Sequence, residues 1–164
     1  MIQDSGDRTK FSTGAERDLK GENKGRMDLV PLGVVADLFD DSNVRYILSC
    51  LNHFIYEGNA SYLQDAIFAF CQRERWSIPE CILEVSIHYR QGSEKYLERN
   101  WERGIPLHSY IDSAVRHLMN HVNEDESERH DRAFIWNILG ALWTLKHKPE
   151  MNDLPFGENK EIKW

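Results

Sequence analysis

Glu84 and His88 stand four residues apart, as do Asp112 and Arg116, while His130 and Asn137 are separated by seven. On a helix each spacing puts both members of a pair on one face. If the faces packed together, carboxylates, imidazoles and a guanidinium would meet in one pocket. Such a set can hold a metal ion, accept a proton or neutralise an anion. Pairs of this kind also occur as solvated surface pairs, so spacing alone leaves both readings open.

Between the pairs runs HYRQGSEKYLERNWERGIP, from His88 to Pro106. Lys95, Arg99 and Arg103 are its cations, Tyr96 and Trp101 its large aromatic faces, and Asn100 an amide that both donates and accepts. Rings stack on bases and cations meet phosphates, so these types suit a nucleotide; the rings equally suit a core. His130-Asp131 is the adjacent pair of an HD-type phosphohydrolase, here without clearly placed His and Asp partners.

Helices must position these groups. Residues 1–30 carry Gly6, Gly14, Gly21 and Gly25 among charges and read as an extended arm. From Pro31 the periodicity turns helical. Leu32, Val35, Ala36 and Phe39 suit a short first helix ending at Asp40-Asp41. Ser42 caps a second, with Val44, Ile47, Leu48, Leu51, Phe54 and Ile55 on one face and Gly58 as its stop. Leu63, Ala66, Ile67 and Phe70 mark a third, running to about Arg75. Ser77-Ile78-Pro79-Glu80 reads as a capping box opening a fourth, which Gly92 can close. Ser109-Tyr110-Ile111-Asp112 offers a cap for a fifth carrying Ile111, Val115, Leu118 and Val122. After an acidic loop from Glu124 to Glu128, Phe134, Ile138, Ala141, Leu142 and Leu145 line a last helix ended by Pro149. No strand candidate and no internal repeat emerges. The expectation is an all-α bundle of five to six helices over 31–148, between the arm and a tail at 149–164.

The 164 residues, 41% of them apolar, suffice for one core. Apolar runs fall far short of the roughly 20 residues that cross a bilayer and the polar start has no signal-peptide core, so a cytoplasmic protein is expected. Net charge of −7 speaks against a nucleic-acid polymer as partner, because such binding gains its strength from cations on many phosphates. A small polyanion remains open, given a local cation cluster or metal-holding carboxylates. Cys50, Cys71 and Cys81 match neither a disulfide framework nor a zinc pattern and read as buried thiols.

The run GSEKY followed by RNWERGIP resembles the central signature of the phage and bacterial dATP/dGTP diphosphohydrolase-like proteins, relatives of the MazG-like all-α NTP pyrophosphatases. FSTGAERD from Phe11 and KGRMDLVP from Lys24 resemble that family's amino-terminal motifs; YIDSAVRHL, HDRAFIWN and KPEMNDLPF resemble its later ones. Nearly the whole chain is covered, Asp40 to Trp76 least distinctively. The resemblance implies a helical homo-oligomer that hydrolyses a deoxynucleoside triphosphate, with a purine expected, to the monophosphate and pyrophosphate using Mg²⁺, in a phage reshaping the host nucleotide pool. It further implies Glu84 and Asp112 as metal-side carboxylates and His88 as ligand or proton acceptor. Lys95, Arg116 and His117 would face the phosphates, Tyr96, Asn100 and Trp101 the base or sugar, and His130 and Asn137 would complete the wall. Two positions depart from the pattern: Arg90 stands where an acid is expected and Leu97 where a glycine is. A cation in place of a carboxylate would weaken metal binding and spare affinity for phosphates, so a non-catalytic protein that sequesters a nucleotide signal used in host defence is the alternative. A purely structural helical adaptor would leave the polar faces without a shared purpose.

Overall fold

A computed structural model describes residues 6–158 apart from 20 and 22; the start of the arm, those two of its positions and the end of the tail lie outside the described residues. Among the described residues six α-helices follow one another: α1 Leu32–Val35, α2 Ser42–Glu57, α3 Ser61–Glu74, α4 Ile78–Lys95, α5 Leu107–Val122 and α6 His130–His147. Short 3-10 turns sit between and beyond them, including Met27–Leu29, Asn100–Arg103 and Pro149–Met151. The bundle is all-α, as the periodicity predicts.

Local chemistry accounts for most helix ends. Asp41 caps α2 by accepting from the N–H groups of Asn43 and Val44, one residue earlier than the expected Ser42. A carboxylate at that position also takes the Arg73 guanidinium at 2.8 Å, which a serine could not do as well. Gly58 ends α2 in the left-handed region at φ 70°. A Cβ there would lie 2.7 Å from Cγ of Phe156. The capping box forms at Ser77 and Glu80. Two expected boundaries move. Gly92 does not close α4, which runs on to Lys95. A glycine inside a helix costs only about 1 kcal/mol, too little to stop one. The fifth helix opens at Leu107 directly after Pro106, before the Ser109 cap. Pro149 does end α6 and begins a 3-10 turn.

The pairs α5 with α6 and α2 with α3 pack most extensively, and α4 lies against α6. Phe54, Phe70, Phe134, Leu48, Leu51, Ile111, Leu118 and Ile138 are fully buried in one cluster. Phe70 and Phe134 put their ring centroids 4.6 Å apart and so tie α3 to α6. Gly140 lets α5 and α6 approach: a Cβ there would stand 2.8 Å from Cζ of Tyr110 and nearer still to Cε1. The three cysteines are free and buried, and burial pushes the Cys50 thiol up to about 11.

The arm corrects the reading that no strand is present. Arg8–Lys10 (β1) and Glu16–Asp18 (β2) pair antiparallel, with Arg8 opposite Asp18 and Lys10 opposite Glu16. The hairpin escapes detection because its strands are three residues long and hold charges in place of alternating apolar positions. Its stabilisation comes from cross-strand ion pairs, Arg8 with Asp18 and Lys10 with Glu16, both at 3.1 Å, and from the bundle beneath.

Candidate functional site

The hairpin, α4, the 3-10 turn at Asn100, α5, the acidic loop and α6 enclose a cavity of about 530 Å³. That size falls within the range of small-ligand sites. Side chains anchor the hairpin over it. The Asn100 amide donates to the Glu16 carbonyl at 2.7 Å and accepts from the Glu16 N–H at 2.8 Å, pairing with the backbone as a strand would. Asp18 accepts from Arg8, from the Tyr96 hydroxyl at 3.1 Å and from the Lys95 ammonium, which fastens β2 to the end of α4. Thr13 donates to the Gly104 carbonyl at 2.6 Å.

These anchors deliver Arg17 into the cavity. Its Nη2 donates to Oδ1 of Asn137 at 2.7 Å, and its guanidinium carbon lies 5.4 Å from the Tyr110 ring centroid and 5.7 Å from that of Trp136. Nη1 is buried with no hydrogen-bond partner among the described residues. Burial lowers the Arg17 pKa, and nearby Tyr110, Tyr96, Asp112 and Asp18 offset part of that cost. A guanidinium retains its charge in such surroundings, so Arg17 is a cation of the cavity wall, with its Nη1 beneath the surface.

On α5, Asp112 accepts from the Met27 N–H at 2.6 Å and from Arg116 at 2.9 and 3.1 Å; Arg116 also donates to the Gly25 carbonyl at 2.7 Å. The pair thus clamps the chain entering the bundle and brings Lys24 and Arg26 to the cavity wall. His88 on α4 is buried, its ring 5.8 Å from that of Trp136, and burial with Arg132 beside it pulls its pKa down to about 4. It is therefore a neutral imidazole near pH 7.

At another part of the wall, Nδ1 of His117 and Nδ1 of His130 lie 2.9 Å apart, with Oε1 of Glu128 at 3.4 and 3.5 Å from them. Burial, with His130 second, pulls the His117 pKa down to about 3; burial also raises that of Glu128. Among the described residues this is the group whose His, Cys, Asp or Glu atoms are close enough to share a metal ion.

The cavity brings His88, Tyr96, Asn100, Trp101, Asp112, Arg116, His117, His130 and Asn137 together, as the expected site requires. Two expected residues stand apart. Glu84 does not line it: its carboxylate accepts from Arg132 at 2.6 and 2.9 Å and from Arg129 at 3.2 Å. Lys95 is engaged by Asp18, behind the wall. The His130-Asp131 pair also divides, since Asp131 is held by Arg129 and by the Arg132 N–H while His130 faces the cavity. Arg90 is exposed and absent from the wall, whereas Leu97 is part of it. Sequence reasoning passed over Arg17, Asp18, Glu128 and Trp136. Arg17 and Asp18 lie in the FSTGAERD motif, which was the available signal; the acidic loop gave none for Glu128.

Magnesium takes a near-octahedral shell of oxygens, usually one or two carboxylates with water and phosphate. Three carboxylates on the wall are paired with cations, Glu16 with Lys10, Asp18 with Arg8 and Lys95, and Asp112 with Arg116; the fourth, Glu128, lies beside two imidazole nitrogens, a mixed donor set unlike the oxygen shell of magnesium. With Glu84 held by arginines away from the wall, the described donors do not fit a protein-held magnesium ion.

No curated protein and no solved structure matches the chain. Residues 72–154, which span α4 to α6 and most of the cavity wall, match the protein family described as dATP/dGTP diphosphohydrolase, N-terminal. The match covers half of the sequence, and the chain belongs to the dATP/dGTP diphosphohydrolase N-terminal family.

Proposed function

We propose that the chain hydrolyses a nucleoside triphosphate, a purine deoxynucleotide foremost, to the monophosphate and pyrophosphate. The observation that carries this reading is a cavity of about 530 Å³, lined by Arg17, Lys24, Arg26 and Arg116 together with aromatic rings, in a member of this family. Arg17, Lys24, Arg26 and Arg116 supply positive charge for the triphosphate, and Trp101 and Trp136 supply aromatic surface for the base. Asn100 holds the hairpin with both ends of its amide, so base contacts fall to other groups on the wall.

In the reaction a water oxygen bonds to the α-phosphorus while the bond from that phosphorus to the bridging oxygen breaks and pyrophosphate leaves. The arginines stabilise the charge that develops on the departing oxygens. Neutral His88, a cavity-facing imidazole outside the His117–Glu128–His130 group, accepts the proton of the water. Magnesium enters in this reading as part of the substrate, carried on the triphosphate. The homo-oligomer implied by the resemblance has a candidate face in Ile78, Ile82 and Leu83, exposed apolar residues at the start of α4.

Incubating the purified chain with dATP and dGTP in magnesium buffer, and measuring pyrophosphate and the monophosphate, tests the reading. Release of both in equal amounts is expected. Tight nucleotide binding without product would overturn it in favour of sequestration.

A further inference from the structure

We propose that His117, Glu128 and His130 form a binding site for a divalent transition-metal ion of the zinc class. The three candidate donor atoms form a triangle with sides of 2.9, 3.4 and 3.5 Å. Bonds of about 2.0 to 2.1 Å to a tetrahedral ion place its donors roughly 3.3 to 3.4 Å apart, so the triangle needs only small adjustment to accept one. Two imidazole nitrogens and one carboxylate oxygen favour zinc, cobalt or nickel over magnesium, which prefers oxygen donors.

The surroundings add an independent observation. The other ring nitrogen of His130, Nε2, lies 3.6 Å from a carboxylate oxygen of Asp125 and 3.4 Å from the Ser127 hydroxyl. An outer carboxylate on the far nitrogen is the usual means of orienting a ligating histidine, and Asp125 stands just beyond hydrogen-bond distance of that nitrogen. His130 is only 2% exposed, so its ring is held in place by packing before any ion arrives.

All three residues also line the cavity, so the fourth position of a tetrahedral ion opens towards it. Three protein ligands and one open position is the arrangement in which zinc binds and activates water or a substrate oxygen. Only the identity of that fourth ligand, a phosphate oxygen or a water, rests on the hydrolytic reading. The site itself does not.

Cobalt(II), a spectroscopic substitute for zinc, is titrated into the chelator-treated full chain without nucleotide, and zinc is titrated in parallel by calorimetry and thermal melting. One cobalt per chain with visible d–d absorption is expected, together with a zinc-dependent rise in melting temperature and no displacement by a large excess of magnesium. His117→Gln, Glu128→Gln and His130→Gln should each weaken the metal at least about 10-fold, the lower end of the loss found when even an outer partner is removed. Glu84→Gln should leave metal affinity unchanged. Should the His130 variant fail to fold, the less buried His117 and Glu128 variants still decide. No cobalt absorption and no melting shift in the unaltered chain, binding that survives all three substitutions, or displacement by magnesium would each overturn the proposal. Metal binding without pyrophosphate production would sink the hydrolytic reading alone, and pyrophosphate production by a chain that binds no cobalt or zinc would sink the metal site alone.

Discussion

Arg17 of the hairpin donates to Oδ1 of Asn137 on α6 at 2.7 Å, across 120 positions of sequence, while its second terminal nitrogen is buried without a partner among the described residues. A buried donor without a partner is costly, and the charge it belongs to stands at the cavity wall where an anionic ligand would sit. Arg17→Gln should therefore weaken nucleotide binding by about 10- to 100-fold, corresponding to the roughly 1.5–3 kcal/mol of a hydrogen bond to a charged group. Thermal stability should not fall in proportion, because the substitution also removes a buried charge. Calorimetry with dATP and dGTP, paired with thermal melting, checks both halves.

Asp18 joins Arg8, Lys95 and Tyr96 at one carboxylate and so holds the hairpin down on α4. Asp18→Ala should loosen the hairpin while the helical core stays intact. Amide exchange should accelerate over residues 8–18 and nucleotide affinity should drop, with the far-ultraviolet dichroism unchanged. Uniform loss of protection through α5 and α6 would show that Asp18 supports the whole bundle instead.

Glu84 and Asp112 separate the resemblance from the geometry. Glu84 is held by Arg129 and Arg132 away from the cavity. Glu84→Gln should therefore keep its rate within a factor of about two, as for a group that makes no interaction particular to the transition state. Asp112→Asn leaves Arg116 without its carboxylate and weakens the hold on Met27. Its rate should fall by at least about 10-fold, equivalent to about 1.4 kcal/mol in the barrier. Steady-state rates of pyrophosphate release compare the two directly.

Tyr110 and Gly140 meet where α5 crosses α6. A methyl group at Gly140 would stand 2.8 Å from Cζ of the Tyr110 ring, far inside contact distance. Gly140→Ala should cost about 1–3 kcal/mol through overpacking, despite the better helix propensity of alanine. Urea unfolding gives the value; an unchanged midpoint would mean that the helices can separate freely at this crossing.

His88 sets a pH dependence. Its imidazole falls from the ordinary 6.5 to about 4 in the folded chain, so below pH 6.5 the unfolded chain takes up a proton that the native one refuses. Stability contributed by the neutral ring is complete above pH 6.5 and is lost progressively as pH falls towards 4. His88→Gln should flatten that part of a plot of melting temperature against pH. The neighbours whose charges bear on the ring, Arg132, Asp131, Arg17 and Lys95, are unchanged in this comparison.

By itself the sequence determined the helices and the family. Apolar spacing from Val44 to Ile55 or from Ile111 to Leu118 is local information, because residues three and four apart on a helix necessarily share a face. Ser77 with Glu80, Gly58, Pro149 and the Asp112–Arg116 pair were legible for the same reason: their partners lie within one turn. Tertiary structure decided what is remote or lies in loops. Arg17 and Asp18 reach the cavity through a hairpin whose strands carry charges and no apolar alternation, so no periodicity announced them. Glu84 shares a helix with His88, yet Arg129 and Arg132, more than 40 positions further along the chain, capture its carboxylate. The approach of His117, Glu128 and His130 depends on how the acidic loop turns between α5 and α6, and nothing in the spacing of 117, 128 and 130 encodes that path.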